Sequence, residues 1–402
     1  MSTIPLKRIA DIVAGQSPAS NDVEPYDGGQ PFLQGNAEFS AVTPEPRLQC
    51  SVASKVAHPG DVLLSVRAPV GAVNVADQRY GIGRGLCAIR AGRTAREYLW
   101  WYLQSQTPAL RSVASGSTFE AVSAADVGSL QVPRLAPRDM SAIAEFLFRE
   151  TAKLDALIDK QEQLIATLRE DRAATITHAV TKGLDPHAPL RETGTKWIDA
   201  IPRHWTFSRF SRHVPINAGQ VDPQLEPFRD MILIAPNHVE SKTGRLLETE
   251  SAEEQGADSG KYRVSAGQVI YSKIRPNLAK VTIAPVDCLC SADMYGLSTD
   301  PHELISEFLL YQLLSQPFTN YVIDSSMRVA MPKVNHDSLG AAPIWIPPIE
   351  EQNEIVKFLE LRCADIDALI AKSQEMIETL REYRSALITN AVTGKIDVRE
   401  AM

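Results

Sequence analysis

Two long stretches of the chain carry apolar residues at alternating spacings of three and four, with charged residues between them. A repeat that averages 3.5 residues is typical of helices that pack as a coiled coil. We predict the seam of the first helix at Leu154, Leu157, Leu164 and Leu168, widened by Ile158 and Ile165, and that of the second at Ile366, Leu369, Met376 and Leu380, widened by Ile370 and Ile377.

The two helices are copies of one segment. With Phe146 aligned to Phe358, the two copies stay in register without a gap through Asp185, and roughly half of about 40 positions are identical. Each copy has a polar residue at the same seam position, Gln161 in the first and Ser373 in the second, and such a residue can fix the pairing register. The chain is therefore an internal duplication.

The sequence in front of each helix repeats more faintly, and it consists of short β-rich runs, turn signals and one apolar helix. The corresponding segments are GDVLLSVRAP (60–69) with GQVIYSKIRP (267–276), and YLWWYLQSQ (98–106) with FLLYQLLSQ (308–316). We predict an α+β fold in which two similar modules are separated by two long helices that form an antiparallel coiled coil, with pseudo-two-fold symmetry. The predicted boundaries are 1–136 for the first module, 137–185 for the first helix, 186–345 for the second module and 346–402 for the second helix.

Ordinary signals mark the ends of these helices. Pro137 and the pair Pro347 and Pro348 stand before the helices, and Gly183 and Gly394 follow the last periodic residues. A helix of about 40 residues is ~60 Å long, which is more than a small domain can cover. Pairing of the two helices is therefore favoured, although packing of each stripe on its own module stays open.

Composition and charge narrow the class of protein. A hydrophobic fraction of 44% in 402 residues is typical of a globular protein with more than one domain. The start of the chain lacks an apolar signal region and no apolar run is long enough to span a membrane, so we expect a cytoplasmic protein. The five cysteines are scattered and predict neither disulfides nor zinc, and CLC (288–290) is expected to be a buried strand. The net charge of −8 weighs against a nucleic-acid binder that acts alone.

Two segments carry a family resemblance. GLDPHAPLRETGTKWIDAIPRHW (183–205) and IPPIEEQNEIVKFL (346–359) resemble the junctions next to the long helices in specificity subunits of Type I restriction-modification systems. The resemblance extends over essentially the whole chain. The start of the first helix, LAPRDMSAIAEFL (135–147), departs from the pattern because it lacks the Glu-Gln pair.

The resemblance implies a DNA reader that has no reaction of its own. Its two modules would be target-recognition domains, each reading one half of a bipartite site in double-stranded DNA, held apart by the helices. It also implies that the chain docks methyltransferase subunits, two in number, and restriction and translocase subunits. S-adenosylmethionine, ATP and Mg²⁺ are expected in those partners and no cofactor or metal in this chain.

The candidate DNA contacts are basic or hydroxyl side chains at corresponding places in the two modules. Lys and Arg position phosphates, and polar side chains on loops read base edges. The set comprises Arg67 after the first module's strand, Lys273, Arg275 and Lys280 after the matching strand, and Ser117, Thr118, Arg328 and Lys333 on the loops that follow the apolar helices.

Two other functions stay open. Asp230, Glu240 and Lys242 have the letter pattern of a Mg²⁺-dependent nuclease, although DMILIA (230–235) reads as a strand and SKTG (241–244) as a turn. A scaffold that binds only protein through its coiled coil would fit the acidic charge. The sequence contains no P-loop, HExxH or GxSxG motif, and the histidines, including His204 and His238, form no spaced cluster.

Overall fold

A computed structural model describes residues 2–114, 121–326 and 333–398. The chain divides into a first unit, residues 1–162 with 374–402, and a second unit, residues 163–373. Each unit contains one sheet-rich domain together with a part of each long helix, and the predicted α+β class is confirmed.

The first unit is built around buried strands whose residues are mostly β-branched or aliphatic. Its strands are β1 Thr3–Pro5, β2 Asp11–Ala14, β3 Glu24–Pro25, β4 Pro31–Leu33, β5 Leu48–Gln49, β6 Val56–Ala57, β7 Val62–Ser65, β8 Val73–Val75, β9 Tyr80–Ile82, β10 Leu86–Arg90 and β11 Gln131–Pro133. Its helices are α1 Arg93–Ser105, α2 Thr107–Val113, α3 Ala124–Ser129 and the first part of α4, Pro137–Lys182. The strands form a four-stranded sheet in the order β2-β10-β7-β8, a five-stranded sheet in the order β3-β5-β4-β9-β6, and the pair β1-β11.

The second unit repeats this plan with small changes in strand order. Its strands are β12 Leu190–Glu192, β13 Ala200–Pro202, β14 Thr206–Arg209, β15 Gln220–Val221, β16 Ile232–Ile234, β17 Glu250–Ser251, β18 Lys261–Val264, β19 Val269–Ser272, β20 Val281–Ile283, β21 Cys288–Cys290, β22 Met294–Leu297 and β23 Pro343–Ile346. Its helices are α5 Ser306–Leu314, α6 Gln316–Ser326, α7 His336–Gly340 and most of α8, Ile349–Val392. The sheets are β15-β18-β21-β16-β17 and β20-β19-β22, with the pairs β12-β13 and β14-β23.

The corresponding segments of the two halves occupy corresponding elements. Strands β7 and β19 are both fully buried and lie inside their sheets, and each five-stranded sheet has one parallel pair, β4 with β9 and β16 with β21. The apolar helices α1 and α5 pack against these strands. The predicted buried strand at CLC is β21.

Each unit packs its apolar helix and its share of the long helices into one core. In the first unit Trp101 of α1 and Leu147 of α4 share a core with Val392 of α8, whose carbonyl accepts a hydrogen bond of 2.7 Å from the Tyr98 hydroxyl. In the second unit Trp205, Phe308 and Trp345 are buried together with Val180 of α4. Burial of an aromatic side chain contributes about 2–3 kcal/mol, so the long helices are held mainly by apolar packing.

The long helices run antiparallel inside each unit. In the first unit Asp155 pairs with Arg384 at 2.8 Å and Glu162 with Arg381 at 3.3 Å. In the second unit Arg172 pairs with Asp367 at 3.0 Å, and the Val180 carbonyl accepts from the indole of Trp345, which precedes α8. Residue numbers therefore rise on one helix as they fall on the other.

Four of the eight residues predicted to form the seam between the long helices are exposed, and a neighbouring residue is buried or half-buried in their place. Leu157, Leu164, Leu369 and Met376 are 46%, 44%, 50% and 49% exposed. Buried or half-buried instead are Leu154, Ile158, Gln161, Ile165, Leu168 and Arg172 on α4, and Cys363, Ile366, Ile370, Ser373, Ile377 and Leu380 on α8. The period of 3.5 was correct but its phase was wrong in places, because adjacent residues such as Leu157 and Ile158 are both apolar.

The ends of the long helices agree with the sequence signals. Helix α4 begins at Pro137 and is followed by Gly183, whose φ is 74°. Helix α8 begins directly after Pro347 and Pro348, and Gly394 after it has a φ of 70°. Glycine is favoured at both ends because the left-handed region costs it nothing.

Candidate nucleic-acid interface

Both units contain the same arrangement after their central strand. After β7 the Ser65 hydroxyl donates to the Arg67 carbonyl at 2.9 Å, and after β19 the Ser272 hydroxyl donates to the Ile274 carbonyl at 3.1 Å. Further along the chain, after the apolar helix and the helix that follows it, the backbone returns to pair with the same extended segment. Two backbone hydrogen bonds of 2.9 Å close this return, from Val122 to Val66 and from Val334 to Lys273.

In the first unit this arrangement presents Arg67. Its side chain is exposed, and its backbone forms an isolated bridge with Ala121. The predicted contacts Ser117 and Thr118 lie outside the described residues. Arg67 is thus a neighbour of Ala121 across this bridge.

In the second unit the same arrangement presents Arg275 and Lys333. Lys333 forms the bridge with Ile274, so these two exposed cations lie at one edge. The ammonium of Lys333 is 3.7 Å from the Asp293 carboxylate, and Arg275 has a φ of 49°. The predicted contact Arg328 lies outside the described residues.

Two of the predicted cations, Lys273 and Lys280, make contacts within the protein. The Lys273 ammonium donates to the Ala292 carbonyl at 2.8 Å and lies 4.6 Å from the ring centre of Tyr262 and 4.2 Å from that of Tyr295. Lys280 donates to the carbonyl of Pro236. The ring contacts of Lys273 and the carbonyl contact of Lys280 keep both ammonium groups within the fold, so these residues orient this region rather than extend from it.

A polar cleft beside Lys333 was missed in the sequence. It has a volume of about 620 Å³ and is lined by Lys196, Trp197, Asp324, Ser325, Ser326, Lys333, Asn335 and Ser338. Asp324 accepts from the Trp197 indole at 2.8 Å and from the Lys196 ammonium at 2.8 Å, and these contacts lower the pKa of its carboxyl. Lys196 belongs to the segment that joins the first long helix to the second module, far from Lys333 in sequence, so no local pattern pointed to it.

The segments that carried the family resemblance have structural roles. The Glu351 carboxylate accepts from His204 Nε2 at 2.8 Å and from the Trp205 indole at 3.0 Å. The buried Gln352 amide accepts from the Ile305 N–H at 3.0 Å and donates to the carbonyls of Glu303 and Pro347. The Glu-Gln pair therefore fastens the start of α8 to the second module.

The described residues give no support to a nuclease site. Asp230 lies 3.6 Å from Arg229, Glu240 pairs with Arg245 at 3.0 Å, and the backbone of Lys242 is part of a turn with a φ of 65°. Within the described ranges no group of three or more His, Cys, Asp or Glu side chains is placed to hold a metal ion.

The other reactive side chains are also accounted for by packing. Burial raises the pKa of the Cys87 thiol to about 11 and that of Cys288 to about 12, so these thiols are inert at neutral pH. His238 is buried and accepts a hydrogen bond of 3.1 Å from the Ala235 N–H. No helix in the described part of the chain is long and apolar enough to cross a membrane.

Comparison with known proteins agrees with this architecture. Residues 235–379 match the family described as Type I restriction modification DNA specificity domain. The chain is 29% identical to the Type I restriction enzyme EcoDI specificity subunit of Escherichia coli, over 75% of this chain and 70% of that protein. The HsdS subunit of Thermoanaerobacter tengcongensis has the same fold, with a TM-score of 0.51 and 18% identity over 98% of this chain and 97% of that chain.

A second solved structure is more similar in fold. It comes from a study of complex assembly and conformational transition of the type I R-M system, and matches with a TM-score of 0.69 and 18% identity over 97% of each chain. The chain is therefore similar in sequence and in fold to specificity subunits of Type I restriction-modification systems. Each of the two sheet-rich domains has exposed cations at the edge described above, Arg67 in the first unit and Arg275 and Lys333 in the second.

Proposed function

We propose that this chain is the DNA-recognition subunit of a Type I restriction-modification complex and reads a two-part site, one part with each sheet-rich domain. The observation that carries the proposal is the repeated arrangement around Ser65 and Ser272, which places an exposed cation at the bridge once in each unit, Arg67 in the first and Lys333 in the second. Arginine on a rigid strand end can contact a phosphate or the O6 and N7 of guanine.

The two parts of the site would differ in sequence. Arg67 and Ala121 form the edge in the first unit, whereas Ile274 and Lys333 form it in the second, with Arg275 next to them. Different side chains at equivalent backbone positions present different donors, and base readout follows the donors. We therefore expect an asymmetric two-part site.

The partners would be methyltransferase subunits, two in number, and restriction and translocase subunits. Each unit leaves apolar side chains exposed at equivalent positions of the long helices, Leu157 and Met376 in the first unit and Leu164 and Leu369 in the second. Leu157 corresponds to Leu369 and Leu164 to Met376 in the internal repeat. Exposed apolar side chains that occur at equivalent positions in both units suit two copies of one partner.

The chemistry of the system would belong to those partners. Within the described residues this chain has neither a metal cluster nor a reactive thiol, and the function proposed for it needs neither. S-adenosylmethionine, ATP and Mg²⁺ would bind the other subunits. The net charge of −8 is compatible with this division, because partner subunits can supply part of the phosphate-binding surface.

The test is selection from a random duplex library by the chain purified with its methyltransferase partner. We expect recovered duplexes to share two short sequences at a constant separation. Recovery without any shared sequence would contradict the proposal and favour a scaffold that binds only protein.

Docking is tested separately by co-purification. Leu157→Asp or Leu369→Asp should each reduce the amount of methyltransferase subunit retained by the chain, and the double variant should abolish retention, because a buried unpaired carboxylate is costly. Gln163→Asp, at an exposed polar position of the same helix, is the matched control. Full retention by the double variant would contradict docking at these leucines.

A further inference from the structure

Arg172 on α4 is the one arginine of the described ranges that is buried, with 7% of its surface exposed. Its Nε donates to the Asp367 carboxylate on α8 at 3.0 Å. Its two terminal nitrogens donate to the backbone carbonyls of Lys242 and Thr243, each at 3.0 Å. A buried guanidinium is tolerated when its donors are satisfied, and the planar fork of arginine directs its donors to three acceptors in one fixed geometry.

The two carbonyls belong to a tight turn of the second sheet-rich domain. Lys242 and Gly244 in this turn have φ values of 65° and 84°, and the bridge from Val239 to Leu246 closes it. Gly244 also packs against Leu310 of α5. A Cβ atom added to this glycine would lie 3.2 Å from the leucine side chain. The turn is therefore held from two sides, by the long helix and by α5.

The turn is also connected to the candidate DNA contacts. The Lys242 N–H donates to the Ala279 carbonyl at 3.4 Å, and Ala279 ends the short segment that begins at Arg275. Ala279 and Arg275 both have positive φ values, of 41° and 49°. Such a backbone persists only where its surroundings hold it, so a displaced turn would alter the segment that carries Arg275.

The internal repeat supplies a natural comparison for this contact. Arg172 and Asp367 correspond to Arg384 and Asp155, and that second pair is also formed, at 2.8 Å. Among the described residues, however, the hydrogen bonds of Arg384 go to Asp155 alone. Arg384 instead lines a cavity of about 300 Å³ beside Trp100 of α1. The ion pair is common to both units, whereas the contact with a turn is particular to the second.

We propose that Arg172 is a positioning residue that fixes the turn 241–244, and through it the segment 275–279, on the long helices, and that this contact sets how strictly the complex selects the separation between the two parts of its site. This inference rests on the proposed function. A domain held loosely on its helices could reach a half-site displaced by one base pair, whereas a domain held rigidly could not.

The experiment uses the full chain in complex with its methyltransferase partner, and duplexes that carry the selected two-part site with its own separation or with one base pair more or less. Arg172→Lys keeps the charge and the pair with Asp367 but cannot donate to both carbonyls in the same geometry. Arg384→Lys is the matched control, and Asp367→Asn removes the ion pair while leaving the two carbonyl contacts.

We expect the wild-type complex to bind the altered separations much more weakly. In Arg172→Lys this preference should fall about tenfold, as expected for the loss of one hydrogen bond to a charged group, while base preference within each part is unchanged. Arg384→Lys and Asp367→Asn should keep the wild-type preference for separation. Hydrogen exchange of the backbone amides of 240–246 should be about tenfold faster in Arg172→Lys and unchanged in Arg384→Lys.

Two results would overturn the inference. One is an Arg172→Lys complex that discriminates separations as the wild type does, even if exchange of the turn is faster. The other is an equal effect of Arg384→Lys on the preference for separation. Since Arg384 makes no hydrogen bond to a turn in the described part of the chain, the contact of Arg172 with the turn would then not explain the change. A wild-type complex that selects no two-part site would instead overturn the proposed function, with the exchange data still deciding whether Arg172 holds the turn.

Discussion

The two units have the same succession of elements, but their sheet-rich domains contact the long helices in different ways. In the second unit polar contacts from Gln352, Glu351 and Arg172 add to the apolar packing. In the first unit Met140, a buried apolar residue, occupies the position equivalent to Gln352, and the hydrogen bonds of Arg384 go only to Asp155 among the described residues. The Tyr98 hydroxyl supplies one polar contact to α8, at the Val392 carbonyl. Apolar packing tolerates small shifts, whereas directional hydrogen bonds fix one geometry, so the second domain should be the more rigidly held.

The largest expected effect comes from Trp345, which stands where the first unit has Pro133. It is fully buried and its indole donates to the Val180 carbonyl at the end of α4. Trp345→Ala should lower the free energy of unfolding of the second unit by ~3–5 kcal/mol, the usual cost of deleting a large buried side chain. Hydrogen exchange of the backbone amides at increasing urea concentration measures the free energy of unfolding of each unit separately.

Pro133→Ala in the first unit is the control for that substitution and should change stability by less than about 1 kcal/mol. Equal losses in the two units would mean that Trp345 does not distinguish them.

The next effect concerns the amide of Gln352. Gln352→Met gives the second unit the residue of the first and leaves the Ile305 N–H and two carbonyls without their partner. We expect the second unit to lose ~2–3 kcal/mol, since an unsatisfied buried group costs more than the net value of a hydrogen bond. Thermal unfolding of the chain reports the loss, and Gln352→Glu, which keeps the acceptor but not the donor, should be intermediate. A fully stable Met variant would show that packing alone holds the start of α8.

The exposed arginines test whether the units contribute equally to DNA binding. Arg67→Ala and Arg275→Ala should each weaken binding of the selected duplex about tenfold and reduce the slope of log affinity against log salt by about one. Titrations at several salt concentrations measure both quantities. An unchanged slope in either variant would remove that arginine from the set of phosphate contacts.

The smallest effect concerns Glu38 in the first unit. Glu38 is a buried polar residue that precedes a turn, and His238 is the buried polar residue at the equivalent place in the second unit. Burial raises the pKa of the Glu38 carboxyl above its ordinary value of 4.5, and one of its oxygens has no partner among the described residues. Because the folded pKa is the higher one, the folded state binds the proton more tightly than the unfolded state. The contribution of Glu38 to stability is therefore greatest below pH 4.5 and falls as the pH rises through the folded pKa.

Glu38→Gln should remove this dependence. The variant should match the wild type below pH 4.5 and be slightly more stable at neutral pH, as measured by urea unfolding between pH 4 and 7. A variant that is less stable at neutral pH would mean that the ionised carboxylate has a favourable contact in the folded protein.

The sequence predicted the elements that depend on local or periodic signals. The two strands at 62–65 and 269–272, the long helices, their proline and glycine ends and the antiparallel pairing were all accessible, because duplication made each weak pattern visible twice. The DNA contacts stay predictions, and of the eight residues proposed, three lie outside the described ranges and two, Lys273 and Lys280, are occupied by contacts inside the protein.

The remaining features depend on residues that are far apart in the chain. Lys196 and Lys333 line one cleft, and Arg172 reaches the turn at Lys242, only because the fold brings distant segments together. No spacing rule connects such pairs.

The sequence by itself determined the duplication, the α+β class and the period of the long helices, because each follows from the order of apolar and polar residues along one element. The tertiary structure decided which of two adjacent apolar residues is buried at each turn of the seam, since Leu157 and Ile158 are equally suited to it and only the opposite helix selects between them. It also decided that one arginine of an equivalent pair holds a turn while the other does not, because that depends on where a second backbone lies.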